Sequence, residues 1–254
     1  MTNKLKYFVG NWKMFGDFRS ISILNRLHNF CNKFSKQGKR YKVIFCVPNS
    51  LIYFFKKNFK SNFVYIGAQN CHHHYDSNGP FTGSESAGMI KKIGAEYIIL
   101  GHSENRATGD SNKIIKNKIK NAMEHKLNII FCIGENLRQK KSNKTYSVLK
   151  KQIKESVQKK FNTRNFLFAY EPVWSIGTGN VPKPIDLIKI FRFIRNELKK
   201  SFGSKKKFTV LYGGSVSDKN IGAFSSIQEI DGFLIGGASR SSKKFIDIMK
   251  KYYK

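Results

Sequence analysis

The chain has 254 residues, 40% of them hydrophobic, which is enough for one large core or two small ones. Lys and Arg number 47 against 16 Asp and Glu, a formal net charge of +31. Yet the lysines are scattered through KKNFK, RQKKSNK and VLKKQIKESVQKKF with no zinc-finger, RRM or helix-turn-helix spacing beside them, so the charge reads as a solvated face able to steer anions, not as a dedicated nucleic-acid partner site. No apolar run approaches the roughly 20 residues of a membrane span. The opening MTNKLKYFVGNWKM lacks a secretory apolar core, and KKYYK is no peroxisomal address. Cys46 and Cys132 lie inside apolar runs where small buried thiols belong. A reducing cytoplasmic location is the expectation.

Eight β-rich runs follow one another: YFVGN (7–11), YKVIFCV (41–47), FVYIGA (63–68), EYIILG (96–101), LNIIFCI (127–133), NFLFAY (165–170), FTVLYG (208–213) and DGFLIG (231–236). They are continuous, as expected of strands covered on both faces. Helix-like segments separate them, among them ISILNRLHNFCNKF, SNKIIKNKIKNAMEH, YSVLKKQIKESVQKKF and IDLIKIFRFIRNELKK, with apolar residues at three- and four-residue spacing. Strand-then-helix repeated about eight times at this length predicts an α/β fold, a single (β/α)₈ TIM barrel domain over 1–254. A doubly wound open sheet would want a Gly-rich turn after the first strand, where GNWKM stands instead.

The unusual polar residues all come just after a strand: Asn11 and Lys13, Thr82, His102 and Glu104, Glu135, Glu171, Ser215, and Gly236 with Gly237. In a parallel barrel every strand C-terminus opens on one face, so these residues converge there. Within FAYEPVWSIGTGN (168–180), an acid ends a buried strand, a stiff Pro172-Val173-Trp174 follows, then a compliant Gly177-Thr178-Gly179. That order suits a catalytic base sealed from water by a hinged lid whose tip is 176–179.

GNWKM (10–14), GHSENR (101–106), YEPVWSIGTG (170–179), YGGS (212–215) and GFLIGGAS (232–239), in this order over essentially the whole chain, resemble the signature segments of the triosephosphate isomerase family. The resemblance implies interconversion of dihydroxyacetone phosphate and glyceraldehyde 3-phosphate through an enediolate, in glycolysis and gluconeogenesis, without cofactor or metal. It implies Glu171 as the base, His102 as the electrophile, Lys13 as the positive charge beside the oxyanion, Asn11 as a donor next to it, and Glu104 as the partner of Lys13. It also implies a phosphate held by the loops of Gly177, Ser215, Gly236 and Gly237, an apolar clamp of Ile176 and Leu234 over the base, and a homodimer in which Thr82 reaches the partner's site. The chemistry is coherent with these roles. A proton beside a carbonyl is weakly acidic, so the base needs desolvation and the enediolate needs compensating charge. A short helical turn at Ser103 favours a neutral His102 ring, and glycine loops let backbone N–H groups approach an anion.

Three positions depart from the family pattern. The tyrosine of YGGS, here Tyr212, bonds in the family's closed state to the N–H of the last lid-hinge residue; the matching residue is Pro182, which has none. The bond from Ser215 to the Gly179 N–H is retained as an expectation. An acid and an arginine of the family pattern are Ser84 and Asn105 here, so both ends of an ion pair are neutral. The run CHHHY (71–75) lacks zinc-type spacing and reads as a variable loop. Two other functions are weighed: a phosphate-binding barrel of different substrate choice, against which GNWK, GHSE and YEPVW stand intact, and a nucleic-acid-binding protein on a barrel scaffold, which would show eroded catalytic residues.

Overall fold

The computed structural model describes residues 4–74 and 78–254; the start of the N-terminal segment and Tyr75 of CHHHY lie outside the described residues. Eight parallel strands close into one barrel in sequence order. They are β1 Lys6–Asn11, β2 Tyr41–Cys46, β3 Val64–Ala68, β4 Tyr97–Leu100, β5 Asn128–Ile133, β6 Phe166–Tyr170, β7 Thr209–Tyr212 and β8 Gly232–Ile235. Each falls on a run expected from sequence, with most ends trimmed by one residue.

Side chains alternate between the two faces of each strand, and the alternation divides the core. Val9, Ile44, Ile99, Ile130, Leu167, Ala169, Leu211 and Leu234 form an all-strand cluster, the barrel lumen. The register makes them neighbours: Val9 stands beside Ile44 and Leu234, Ile130 beside Ile99 and Leu167, and Ala169 beside Leu211. The other parity, including Phe8, Phe45, Phe131, Phe168 and Phe233, packs outward against the helices. Counting onward in twos from the lumen residues, Asn11 follows Val9, Glu171 follows Ala169, Gly213 follows Leu211 and Gly236 follows Leu234. Several residues expected at the mouth are thus placed by the same period that fills the lumen, whereas His102 has the parity of Leu100, which packs outward.

The helices cover the barrel with one apolar stripe each. Ile21–Ser35 buries Leu24, Leu27, Cys31 and Phe34. Asn112–Glu124 starts where the Ser111 side chain accepts the Ile114 N–H, and Pro184–Phe202 starts with Pro184 in its first turn. One helix is shorter than its pattern predicts: Thr145–Ser156 ends five residues before Phe161 because Val157 turns extended. Ser156, Val157 and Phe161 are all buried, and a continued helix would spread them over more than one narrow stripe. Among the described residues only Lys6 and Lys118 of the many lysines are buried. Most of the remaining lysines lie on a solvated outer face, with Lys13 at the cavity an exception.

Lys6 lies at the floor of the barrel, where its ammonium donates to the Ile230 carbonyl at 2.5 Å. Burial lowers its pKa from an ordinary 10.5 to about 8, against the pull of Asp231. Between those values the unfolded chain holds a proton here that the folded chain does not, so this residue's contribution to stability rises with pH. Lys6→Met removes that dependence. Its stability relative to wild type should fall by about 1–2 kcal/mol from about pH 7.5 to about pH 9.5 in urea titrations; an unchanged difference would contradict the assignment.

Candidate active site

At the mouth, Lys13 adopts φ 56°, a left-handed conformation rarely taken by a residue with a side chain. Two bonds hold it there: its N–H donates to Asn11 Oδ1 at 3.1 Å, and its carbonyl accepts from Gln69 Nε2 at 2.9 Å. The distortion turns Nζ into the mouth, 2.6 Å from Glu104 Oε1. Strain of this kind costs about 1–3 kcal/mol and persists where the surroundings over-determine the backbone.

His102 caps the short helix Ser103–Ala107. Its Nδ1 accepts the Glu104 N–H at 3.2 Å, so Nδ1 carries a lone pair and the ring proton sits on Nε2. That Nε2 lies 3.2 Å from Glu171 Oε1, both side chains being nearly inaccessible. The second Glu171 oxygen accepts the Ser103 N–H at 3.4 Å. The turn expected at Ser103 thus does two things: it sets the histidine tautomer and steadies the carboxylate.

Glu171 is fixed from behind by its own N–H donating to Ile133 O at 2.8 Å. Gly134 makes the approach of the two chains feasible, since a Cβ there would lie 1.7 Å from the Glu171 carbonyl oxygen. A Cβ on Gly213 would meet Glu171 Cγ at 2.8 Å, so glycine leaves that side chain room to turn. The Cys132 thiol sits against the same carboxylate; burial, then the Glu171 charge, hold the thiol well above its usual range.

The segment expected to form a lid leaves β6 through a 3₁₀ turn, Val173–Ser175. Trp174 Nε1 donates to Glu135 Oε1 at 2.9 Å, and the Tyr170 hydroxyl donates to the same buried carboxylate at 3.1 Å. Burial raises the Glu135 pKa, while these bonds and Lys140 hold it down. The stiff hinge read from Pro172-Val173-Trp174 is therefore anchored, and 177–180 beyond it are exposed.

Asn11, Lys13, His102, Glu171, Ile176, Gly177, Ser215, Leu234, Gly236 and Gly237 line one cavity of about 420 Å³. One end holds the His102 and Glu171 pair, and the other is walled by the glycine loops after β7 and β8. Glu104 borders an adjoining pocket of about 440 Å³ instead, together with Met14, Asn49 and Asn105. Thr82 stands exposed on its loop, away from the cavity of its own chain, and Tyr212 lies buried beneath the lid. No hydrogen bond joins Ser215 to the Gly179 N–H in this conformation; the Ser215 N–H donates to Ser175 Oγ at 3.3 Å. The rings of His72 and His74 pack on Phe81, and no cluster able to hold a metal occurs among the described residues.

Sequence reasoning passed over Ser175, Gly134, Gly213, Gly214, Lys219 and Lys244 and took Cys132 as core alone; Gly213, Gly214, Lys219 and Lys244 line the cavity with Ser217, and Gly134 lies against the Glu171 backbone. The glycine pair after β7 and a serine inside an otherwise apolar hinge were the signals available.

A family model described as triosephosphate isomerase matches residues 6–252. The chain belongs to the triosephosphate isomerase family. It is 36% identical over 250 residues to the triosephosphate isomerase of Bartonella henselae, covering 98% of this chain and 97% of that protein. It is 38% identical over 248 residues to that of Zygosaccharomyces bailii, covering 96% and 97%. The crystal structure of triosephosphate isomerase from Bartonella henselae superposes with a TM-score of 0.88 at 33% identity, covering 98% of this chain and 99% of that one.

Proposed function

We propose that Glu171, His102, Lys13 and Asn11 carry out the family's reaction in this chain, and that the glycine-walled end of the cavity holds the phosphate. The chain is a triosephosphate isomerase, interconverting dihydroxyacetone phosphate and glyceraldehyde 3-phosphate through an enediolate. The observation that carries the residue roles is the 3.2 Å approach of His102 Nε2 to Glu171 Oε1 on the cavity floor. A substrate seated there meets a carboxylate base and an imidazole N–H at once. Glu171 removes the proton from the carbon beside the carbonyl while His102 Nε2–H hydrogen-bonds the carbonyl oxygen, and the developing negative charge lies beside the Lys13 ammonium. His102 Nε2 gives its proton to that oxygen and takes one from the neighbouring hydroxyl, which becomes the new carbonyl, and Glu171 returns its proton to the neighbouring carbon, so the isomerisation completes with no net change in protons. Backbone N–H groups of Gly177, Ser215, Gly236 and Gly237 receive the phosphate, and Ile176 and Leu234 close over the base and exclude water.

We also read the chain as a cytoplasmic homodimer. The pocket of Asn11, Lys13 and Met14 is the surface a second copy would fill: Met14 is 99% exposed there. Asn49 Oδ1, on the same pocket, is buried with no hydrogen-bond partner among the described residues. The loop around Thr82, exposed on its own chain, is the segment proposed to fill it. Ser84 and Asn105 leave that contact without an ion pair, which is less costly than one stranded charge. The four cysteines are free and buried, in keeping with a reducing compartment. No helix among the described residues is long and apolar enough to cross a membrane.

Light scattering during size exclusion, with each fraction assayed for conversion of glyceraldehyde 3-phosphate, tests both parts. A dimer is expected, with turnover per chain falling as dilution dissociates it. A monomer of full activity would overturn the dimer, and a folded dimer without turnover would overturn the residue roles.

A further inference from the structure

Ser175 is fully buried at the junction of the lid and the barrel. Its hydroxyl donates to the Asn180 carbonyl at 2.5 Å, contacts the Tyr212 hydroxyl at 3.3 Å, and accepts the Ser215 N–H at 3.3 Å. A serine hydroxyl has one proton and two lone pairs. A carbonyl can only accept, so the proton goes to Asn180, and Tyr212 and Ser215 are both donors to Ser175 Oγ. Every valence of this one oxygen is used, and its partners tie the lid stem to the end of β7 and the loop after it. Ser175 precedes the lid tip, Asn180 follows it, and Tyr212 and Ser215 belong to the end of β7 and its loop. The knot is tightly built: a Cβ on Gly214 would lie 2.2 Å from the Tyr212 hydroxyl and 2.8 Å from Ser175 Oγ.

We infer that Ser175 is a positioning residue that masks the phosphate-binding N–H of Ser215 while fastening both stems of the lid, so that arrival of a phosphate releases the mask and couples binding to lid movement. The inference rests on the proposed role of the Ser215 N–H. The physical asymmetry favours the exchange. The Ser215 to Ser175 bond is neutral and long, whereas a phosphate oxygen accepts a charge-assisted bond, typically about 2.7–2.9 Å and about twice as strong. When the phosphate takes the Ser215 N–H, Ser175 Oγ loses one of its donors and the lid stem is freed to settle elsewhere. The knot also gives the Tyr212 hydroxyl a partner, Ser175, in place of the N–H that Pro182 lacks.

The test compares Ser175→Ala, Ser175→Thr and Tyr212→Phe by calorimetric titration with inorganic phosphate and by steady-state kinetics, with melting curves to establish folding. Ser175→Ala should bind phosphate about 3-fold more tightly, because the mask is gone, while kcat falls about 3- to 10-fold, because Asn180 and Tyr212 lose their shared partner. Ser175→Thr keeps the hydroxyl and should restore both values toward wild type. Tyr212→Phe should lower kcat less than Ser175→Ala does, and in the Ser175→Ala background it should add no further loss. Opposite shifts in phosphate affinity and kcat are what a purely structural role does not produce. If Ser175→Ala weakens phosphate binding, or leaves binding and kcat both unchanged, the inference is overturned; additive losses in the double variant would overturn the Tyr212 link. Phosphate titration reads the mask without turnover, so an inactive wild type would sink the proposed catalytic roles and leave this result to be judged separately.

Discussion

Glu171→Gln should lower kcat by about 10²–10⁴-fold, the range expected for loss of a positioned general base, while leaving the fold intact. The substitution preserves size and one acceptor oxygen, so the Ser103 N–H can still be received, as it is now at 3.4 Å. The backbone anchor to Ile133 is untouched, and the room left by Gly213 is the same. What disappears is the capacity to take a proton from carbon. KM should change little, because the end of the cavity proposed to hold the phosphate lies on the loops after β7 and β8. A coupled assay on wild type and variant side by side, with melting temperatures alongside, makes the comparison. A variant within about 10-fold of wild type would mean that Glu171 is not the base.

Lys13→Met should reduce kcat/KM by about 10²–10³-fold, the typical loss when a donor aimed at a developing oxyanion is removed. Lys13 is held in a strained backbone so that its ammonium reaches the mouth, and the variant keeps a chain of similar length without the charge. Stability should be almost unaffected, because Glu104, left without its ion-pair partner, is 59% exposed and regains water. The chain's net charge of +31 spreads over its surface and cannot replace a cation at contact distance, since exposed charges beyond about 8–10 Å are screened at moderate salt. A loss that persists in both low and moderate salt identifies a contact effect, whereas a loss abolished by salt would reassign Lys13 to long-range steering.

The elements and residues that were legible in the sequence share one property: their signal is local. The eight strands announce themselves as short continuous apolar runs, and each helix by its own apolar stripe. Asn11, His102, Glu171 and Gly236 stand out because a polar or glycine residue directly follows a buried run, and a parallel barrel brings all such ends to one face. The absence of an N–H at Pro182 is legible too, because it is a property of one residue type. These determined the fold and part of what lines the mouth, though not Lys219 or Lys244.

What the tertiary structure alone decided depends on pairs far apart in sequence. Ser175 reads as one more hinge residue until β6 and β7 pair Tyr170 with Tyr212, which brings residues 175 and 215 together. Cys132 reads as core until the β5 to β6 register sets it beside Ala169, two residues before Glu171. The tautomer of His102 follows from one N–H at the start of a five-residue helix, and the early end of Thr145–Ser156 from where Val157 and Phe161 are needed in the core. A local pattern states which side of an element is apolar, because burial on one face has a fixed period. It does not state which hydroxyl meets which amide, because a shift of one residue in strand register would exchange every partner.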